Sequence, residues 1–201
     1  MRVGETTYLS QEGLIEEAMK PSREWLHLGS GTAGRVFVEL IGVDGLAVSM
    51  LGKSDPFGLL IFEDSYGKTD VINNCGSPKW MHWSRRAFIF NMDHSSSDLR
   101  VGIFDYDKMG NHDMLGRAVV QVNRLMPDTD YVLKYKLYED TSTVEREGMG
   151  TVTLRVRIEY ESPKQVVLSA LKMSDDQYVN FQEDRQLHIA RQVVEGKTDM
   201  V

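Results

Sequence analysis

The chain has 201 residues, 41% of them hydrophobic, enough for one domain of ordinary size with a buried core and length to spare. Its 30 acidic residues against 23 basic ones give a formal charge of -7, which excludes a nucleic-acid binder steered by overall positive potential and disfavours unaided attraction to an anionic surface. A single cysteine, Cys75, leaves no internal disulfide framework and no Cys-rich zinc site, which suits a reducing, cytoplasmic setting. With no apolar run of about 20 residues and no N-terminal signal, only peripheral membrane contact is expected.

In chain order, residues 10–19 read as a short helix stopped near Pro21, with Trp25 and Leu26 as packing anchors, and residues 1–33 together form an N-terminal extension. Gly29 to Gly34 spells G-x-G-x-x-G, but a dinucleotide loop follows a strand and opens a helix, whereas here a strand follows. The segment is a linker. From there to Tyr160 short apolar or alternating runs are separated by Gly, Pro, Asp, Asn and Ser clusters. Eight strands are expected, at 35–43, 56–62, 66–72, 87–92, 99–104, 114–122, 131–138 and 151–160, an all-β antiparallel sandwich over residues 34–161. In the last strand Val152, Leu154, Val156 and Ile158 alternate with Thr153, Arg155, Arg157 and Glu159, so one face meets the core and the other water. Residues 162–201 form a partly helical C-terminal extension, with helical turns at 163–172 and a second apolar group, Leu187, Ile189, Val193 and Val194, among the charges of 184–195.

The chemistry gathers around Asp105, Asp107 and Asp113. The first two end a strand two residues apart, where the period of two puts them on the same side, and the third opens the next strand. Carboxylates converging on one loop repel unless a cation sits among them, and hard oxygen ligands suit Ca2+. Asp55 stands just ahead of the second expected strand. If the strands alternate up and down, the connections after the first, third, fifth and seventh share one end, so Asp55 meets the Asp105 to Asp113 loop. That end also carries Val48, Ser49, Met50 and Leu51, and the connection with Lys79, Trp80, Met81 and Trp83. An EF-hand is excluded, because Met109 and Gly116 hold the fifth and twelfth positions and the latter requires a bidentate Glu.

The runs GKSDPF (Gly52 to Phe57), SPKW (Ser77 to Trp80), Asp105-Tyr106-Asp107 and Asp113-Met114-Leu115-Gly116, taken in this order, resemble the C2 domain signature. A first strand at Arg35 and a closing strand at Thr151 resemble the type II circular order. GKSDPFG, SPKW and GTVTLRVRIEY are similar to the first C2 domains of extended synaptotagmins and tricalbins, which tether membranes and move lipids. The resemblance implies Ca2+-dependent peripheral binding to anionic phospholipid membrane, with membrane trafficking as the setting and no catalysis. It places the second ligand aspartate of the first loop on Asp55 and the three of the third loop on Asp105, Asp107 and Asp113. The remaining one falls on Ser49, whose hydroxyl brings neither charge nor bidentate reach, so fewer or weaker sites are expected, with Asp44 or Asp64 as substitutes. Gly110 stands where some relatives have a ligating serine.

Val48, Met50, Leu51, Met109 and Lys79 are the candidate membrane contacts, set against the plainer reading that the apolar ones fold back on the core. Trp80 and Trp83 read as packing residues at a strand entrance. Lys68, Lys79, Arg85 and Arg86 read as a solvated face, with a phosphoinositide patch as the alternative. His112 reads as solvent-exposed. The five histidines are scattered without metal spacing and Cys75 has no activating partner, so no enzyme constellation is present. The rival function is a Ca2+-indifferent scaffold for a protein partner, or the targeting part of a larger membrane-tethering or lipid-transfer protein.

Overall fold

A computed structural model describes residues 10–46, 54–139 and 149–162; the helices expected at 163–172 and 184–195 lie outside the described residues. Ser10 caps helix α1 (Gln11–Met19), its Oγ accepting the Gly13 N–H at 3.1 Å. The strands among the described residues are β1 (Leu26–Leu28), β2 (Gly34–Asp44), β3 (Pro56–Phe62), β4 (Ser65–Lys68), β5 (Ala87–Met92), β6 (Asp98–Asp105), β7 (Asp113–Gln121), β8 (Tyr131–Lys136) and β9 (Thr151–Tyr160). They build a five-stranded sheet in the order β1-β5-β2-β9-β8 and a four-stranded sheet in the order β4-β3-β6-β7. The sandwich expected from the sequence is present, with two departures. β1 pairs in parallel with β5, adding an edge strand from the N-terminal extension; three residues are too short to show a period, and it is the open edge of β5 that makes Leu26–Leu28 a strand. The third expected strand stops at Lys68 because the chain is drawn away: Asp70 accepts the Arg85 N–H at 2.9 Å and, through its carbonyl, the Trp80 indole N–H at 2.7 Å.

Alternation sets the core. Val152, Leu154, Val156 and Ile158 of β9 are buried between the sheets and meet Val36, Val38 and Leu40 of β2. Burying one such side chain contributes about 1.5–3 kcal/mol, so this interior dominates the stability. β3 differs from the other strands in being buried on both faces: Leu60 and Phe62 join the interior, whereas Phe57, Leu59 and Ile61 form a separate cluster with Phe104.

The outer face of the five-stranded sheet holds a buried charge cluster that anchors the N-terminal extension. Arg86, expected on a solvated face, has no exposed surface, a correction that follows from its partners. Its Nε donates to Ser22 Oγ at 2.8 Å, its Nη1 to the carbonyls of Trp80 (2.7 Å) and Ala18, and its Nη2 to Glu39 Oε2 (2.8 Å) and the Lys20 carbonyl. All five guanidinium donors are thereby used. Arg155 reaches both Glu39 oxygens at 3.0 Å and the Met19 carbonyl. Trp25 packs edge-on against Phe37 at 5.9 Å, the anchoring role expected of it.

Candidate functional site

Strand register brings the acidic residues together. Pro56 pairs with Asp105 and Asp105 with Asp113, so Asp55, Asp105 and Asp113 stand at adjoining strand ends. The Asp55 N–H donates to Asp105 Oδ1 at 2.7 Å, and the Tyr106 N–H donates back to the Asp55 carbonyl at 3.0 Å. The third connection joins in through the Asn74 N–H, which donates to Asp55 Oδ1 at 2.6 Å. SPKW lies along the end of β2: the Val43 N–H donates to the Pro78 carbonyl at 2.9 Å and the Trp80 N–H to the Ile41 carbonyl at 3.0 Å. Gly42 allows this approach, since a Cβ there would lie 2.9 Å from the Pro78 oxygen. The shared end expected from up-and-down strands is therefore present.

The third loop is braced from inside. Asp107 Oδ1 accepts the Met109 N–H at 2.8 Å, and Gly110 takes a φ of +94° at the turn, open to glycine and strained for most other residues. His112 is buried, contrary to its expected exposure. It stands edge-on to Phe57 and stacks on Tyr106, each at 5.1 Å, and its Nδ1 accepts the Asp107 N–H at 3.0 Å, which leaves the proton of the neutral ring on Nε2. Burial and the Lys68 ammonium hold the imidazole below its ordinary value, against the pull of Asp107 and Asp105. The signal missed in the sequence is the aromatic pair Phe57 and Tyr106, which encloses the ring.

The other candidates divide. Met109 is 92% exposed at the loop tip. Lys79 pairs with Asp44 and lies within 3.3 Å of the Val43 carbonyl, so its charge is already met at this end. Asp64, named as a substitute ligand, sits in the β3–β4 turn at the opposite end of the sandwich and cannot serve there. Lys68 lays its ammonium 4.2 Å from the centre of the Phe57 ring. With Arg86 buried and Lys79 paired, the four basic residues do not assemble into one patch. Trp80 is buried as expected, while Trp83 is 57% exposed beside His82, because its neighbours on the chain turn the other way. Ser49, Val48, Met50 and Leu51 lie outside the described residues.

In kind, the donors fit a hard divalent cation: carboxylates from two separated stretches at one end, each oxygen able to accept more than the single N–H it holds. In arrangement they are not a finished cage, because among the described residues no three His, Cys, Asp or Glu side chains converge closely enough to hold a metal ion. Nor, among the described residues, is any helix long and apolar enough to cross a membrane.

The model of the C2 domain family matches residues 34–137. Myoferlin of Mus musculus is 29% identical over 133 residues, covering 64% of this chain and 6% of that protein, and Synaptotagmin-4 of Arabidopsis thaliana is 32% identical over 131 residues, covering 63% and 22%. The chain thus spans under a quarter of either relative. Among solved structures, the A domain of the C2 pair in plant extended synaptotagmin 1 superposes with a TM-score of 0.57 at 20% identity, covering 66% of this chain and 99% of that one. Human GIVD cytosolic phospholipase A2 gives 0.53 at 17% identity, covering 67% and 17%; at such identities the likeness concerns the fold alone. C2 domains are typically non-catalytic modules that bind lipid and membrane, also where they form part of an enzyme. By its family match and its two-sheet topology, this chain belongs to the C2 domain family.

Proposed function

We propose that this C2 domain docks peripherally on anionic phospholipid membranes through its acidic loop end, and that Ca2+ controls the docking. The observation that carries the reading is the interlock of Asp55 with Asp105 at 2.7 Å, which joins carboxylates fifty positions apart at the end where Met109 protrudes. Asp55, Asp105, Asp107 and Asp113 would hold the ion, with Ser49 as the weak member of the set. A bound Ca2+ supplies positive charge that cancels the local negative field and offers coordination to lipid phosphate. The chain's own residues do the rest: Met109 enters the headgroup layer, with Val48, Met50 and Leu51 as its companions from the first loop, and Lys79 lies at the rim. The domain spans residues 34–161, acts without catalysis on the cytoplasmic side, and targets a longer protein. Titration calorimetry with Ca2+, with and without phosphatidylserine vesicles, tests the reading. Heat is expected with vesicles present, more for Ser49→Asp, and no heat under either condition ends the Ca2+ claim.

A second reading has its own support in the absence of three converging side chains among the described residues. In it the sandwich is a Ca2+-indifferent scaffold for a protein partner or phosphoinositide. The melting temperature separates the two: a ligand that binds only the folded state raises it, and an unchanged value in saturating Ca2+ favours the scaffold.

A further inference from the structure

The outer face of the four-stranded sheet is apolar and covered. In a two-layer sandwich this face should meet water, yet on β3 the outward residues Phe57, Leu59 and Ile61 are 0%, 1% and 5% exposed, and Phe104 beside them on β6 is 5% exposed. Their orientation follows from two glycines: a Cβ on Gly58 would strike Leu40 of the opposite sheet, so Gly58 faces inward and its neighbours outward, and a Cβ on Gly102 would strike the Phe104 ring on the outer side.

The described residues supply only part of the cover. Lys68, Tyr106 and His112 lie against Phe57, and Tyr66 and Val71 pack at the margin. No described helix or strand crosses Leu59 and Ile61: α1 is tied to Arg86 and Arg155 on the other sheet, β1 pairs with β5, and the 3₁₀ turn Val122–Arg124 puts Val122 into the interior.

We propose that the chain's own residues 163–201 lie across this face and close it. β9 runs from Thr151, opposite Asp44 at the acidic end, to Tyr160, opposite Gly34 at the far end, and β3 likewise ends at Phe62 on the far side. The chain therefore leaves the sandwich where the outer face of β3 begins. Stacked sheets lie about 10 Å apart, which about three or four extended residues at about 3.3 Å each can cross. The segment carries two apolar groups suited to such a face, Val166, Val167, Leu168 and Leu171, then Leu187, Ile189, Val193 and Val194. With the face closed, lipid headgroups have no access to it, and membrane contact is confined to the acidic end.

Photo-crosslinking in the full chain tests this. Ile61→p-benzoylphenylalanine places the probe under the cover; Tyr66→p-benzoylphenylalanine, at the half-buried margin, is a conservative second site should the first disturb folding. A mixture of isotopically light and heavy chains is irradiated, digested and mapped by mass spectrometry. Cross-links from either position to peptides of 163–201 within the same molecule are expected. Cross-links between light and heavy chains would make a second copy the cover and overturn the proposal, as would links confined to residues before 163, or none at either position.

Discussion

Two charged regions of this domain solve opposite problems. Around Arg86, on the outer face of the five-stranded sheet, each charge is answered from within: Glu39 is flanked by two arginines and every Arg86 donor has an acceptor. At the acidic end four aspartates share a small volume, while the nearest described lysines are committed elsewhere, Lys79 to Asp44 and Lys68 to the faces of Phe57 and Tyr106. A buried cluster that balances itself serves the fold. An end that leaves its carboxylates without a cation of the chain's own asks for one from outside.

The sharpest way to break the comparison is to unbalance the closed cluster. Arg86→Ala leaves Glu39 buried beside a single arginine and strips the carbonyls of Ala18, Lys20 and Trp80 of their donor; the expected loss is about 3–5 kcal/mol, read from the urea midpoint. Replacing Arg86 and Glu39 together by Met and Leu should cost less than Arg86→Ala alone, because no uncompensated charge remains. Equal losses would mean that the cluster is worth no more than its packing.

At the open end the effect should fall on binding instead. Asp107→Asn retains an oxygen for the Met109 N–H, so the loop keeps its brace while losing a charge. A Ca2+ affinity on phosphatidylserine vesicles lower by about tenfold, equivalent to about 1.4 kcal/mol, is expected, with an unchanged urea midpoint. Asp55→Asn should do less damage, since family resemblance puts Asp107 at the middle position of the third loop; equal losses would count against that carry-over.

The comparison also marks where the sequence could be read. Each of the eight expected strands lies where alternation and turn residues put it, because a sandwich face imposes a period that survives in the letters. The meeting of Asp55 with the third loop was legible for the same reason, since up-and-down strands dictate which connections share an end. The Arg86 cluster was not legible. Glu39 and Arg155 occupy outward positions on β2 and β9, where charge normally meets water, and only the N-terminal segment folding over them makes those positions interior. His112 was misread likewise: nothing in its neighbours along the chain announces that Phe57, more than fifty positions earlier, will stand against it. Pattern reports a strand's own faces, not what other segments later lay upon them.

Met109 tests the outward part of the acidic end. Because it is 92% exposed, Met109→Ser should leave the melting temperature unchanged. Entry of the side chain into the headgroup layer is worth about 1.5 kcal/mol, so vesicle partitioning should weaken by about tenfold, read by co-sedimentation. Unchanged partitioning would remove the loop tip from the docking surface.

The smallest effect concerns Glu63, a carboxylate at the far end that is answered by neutral donors. Its oxygens accept the Asp93 N–H at 2.9 Å, the His94 N–H at 2.8 Å and the Ser97 hydroxyl at 2.7 Å, yet burial outweighs these bonds and holds the carboxyl above its ordinary value. The folded state therefore binds this proton more tightly than the unfolded chain does. The stability this contributes is fully present below the unfolded value of 4.5 and is lost as pH rises through the folded one. Glu63→Gln cannot titrate, so a plot of urea midpoint against pH should fall less over that window than it does for the parent chain. Parallel curves would mean that the three donors balance burial, and that neutral hydrogen bonds alone can settle a buried carboxylate in this fold, as Arg86 and Arg155 settle Glu39.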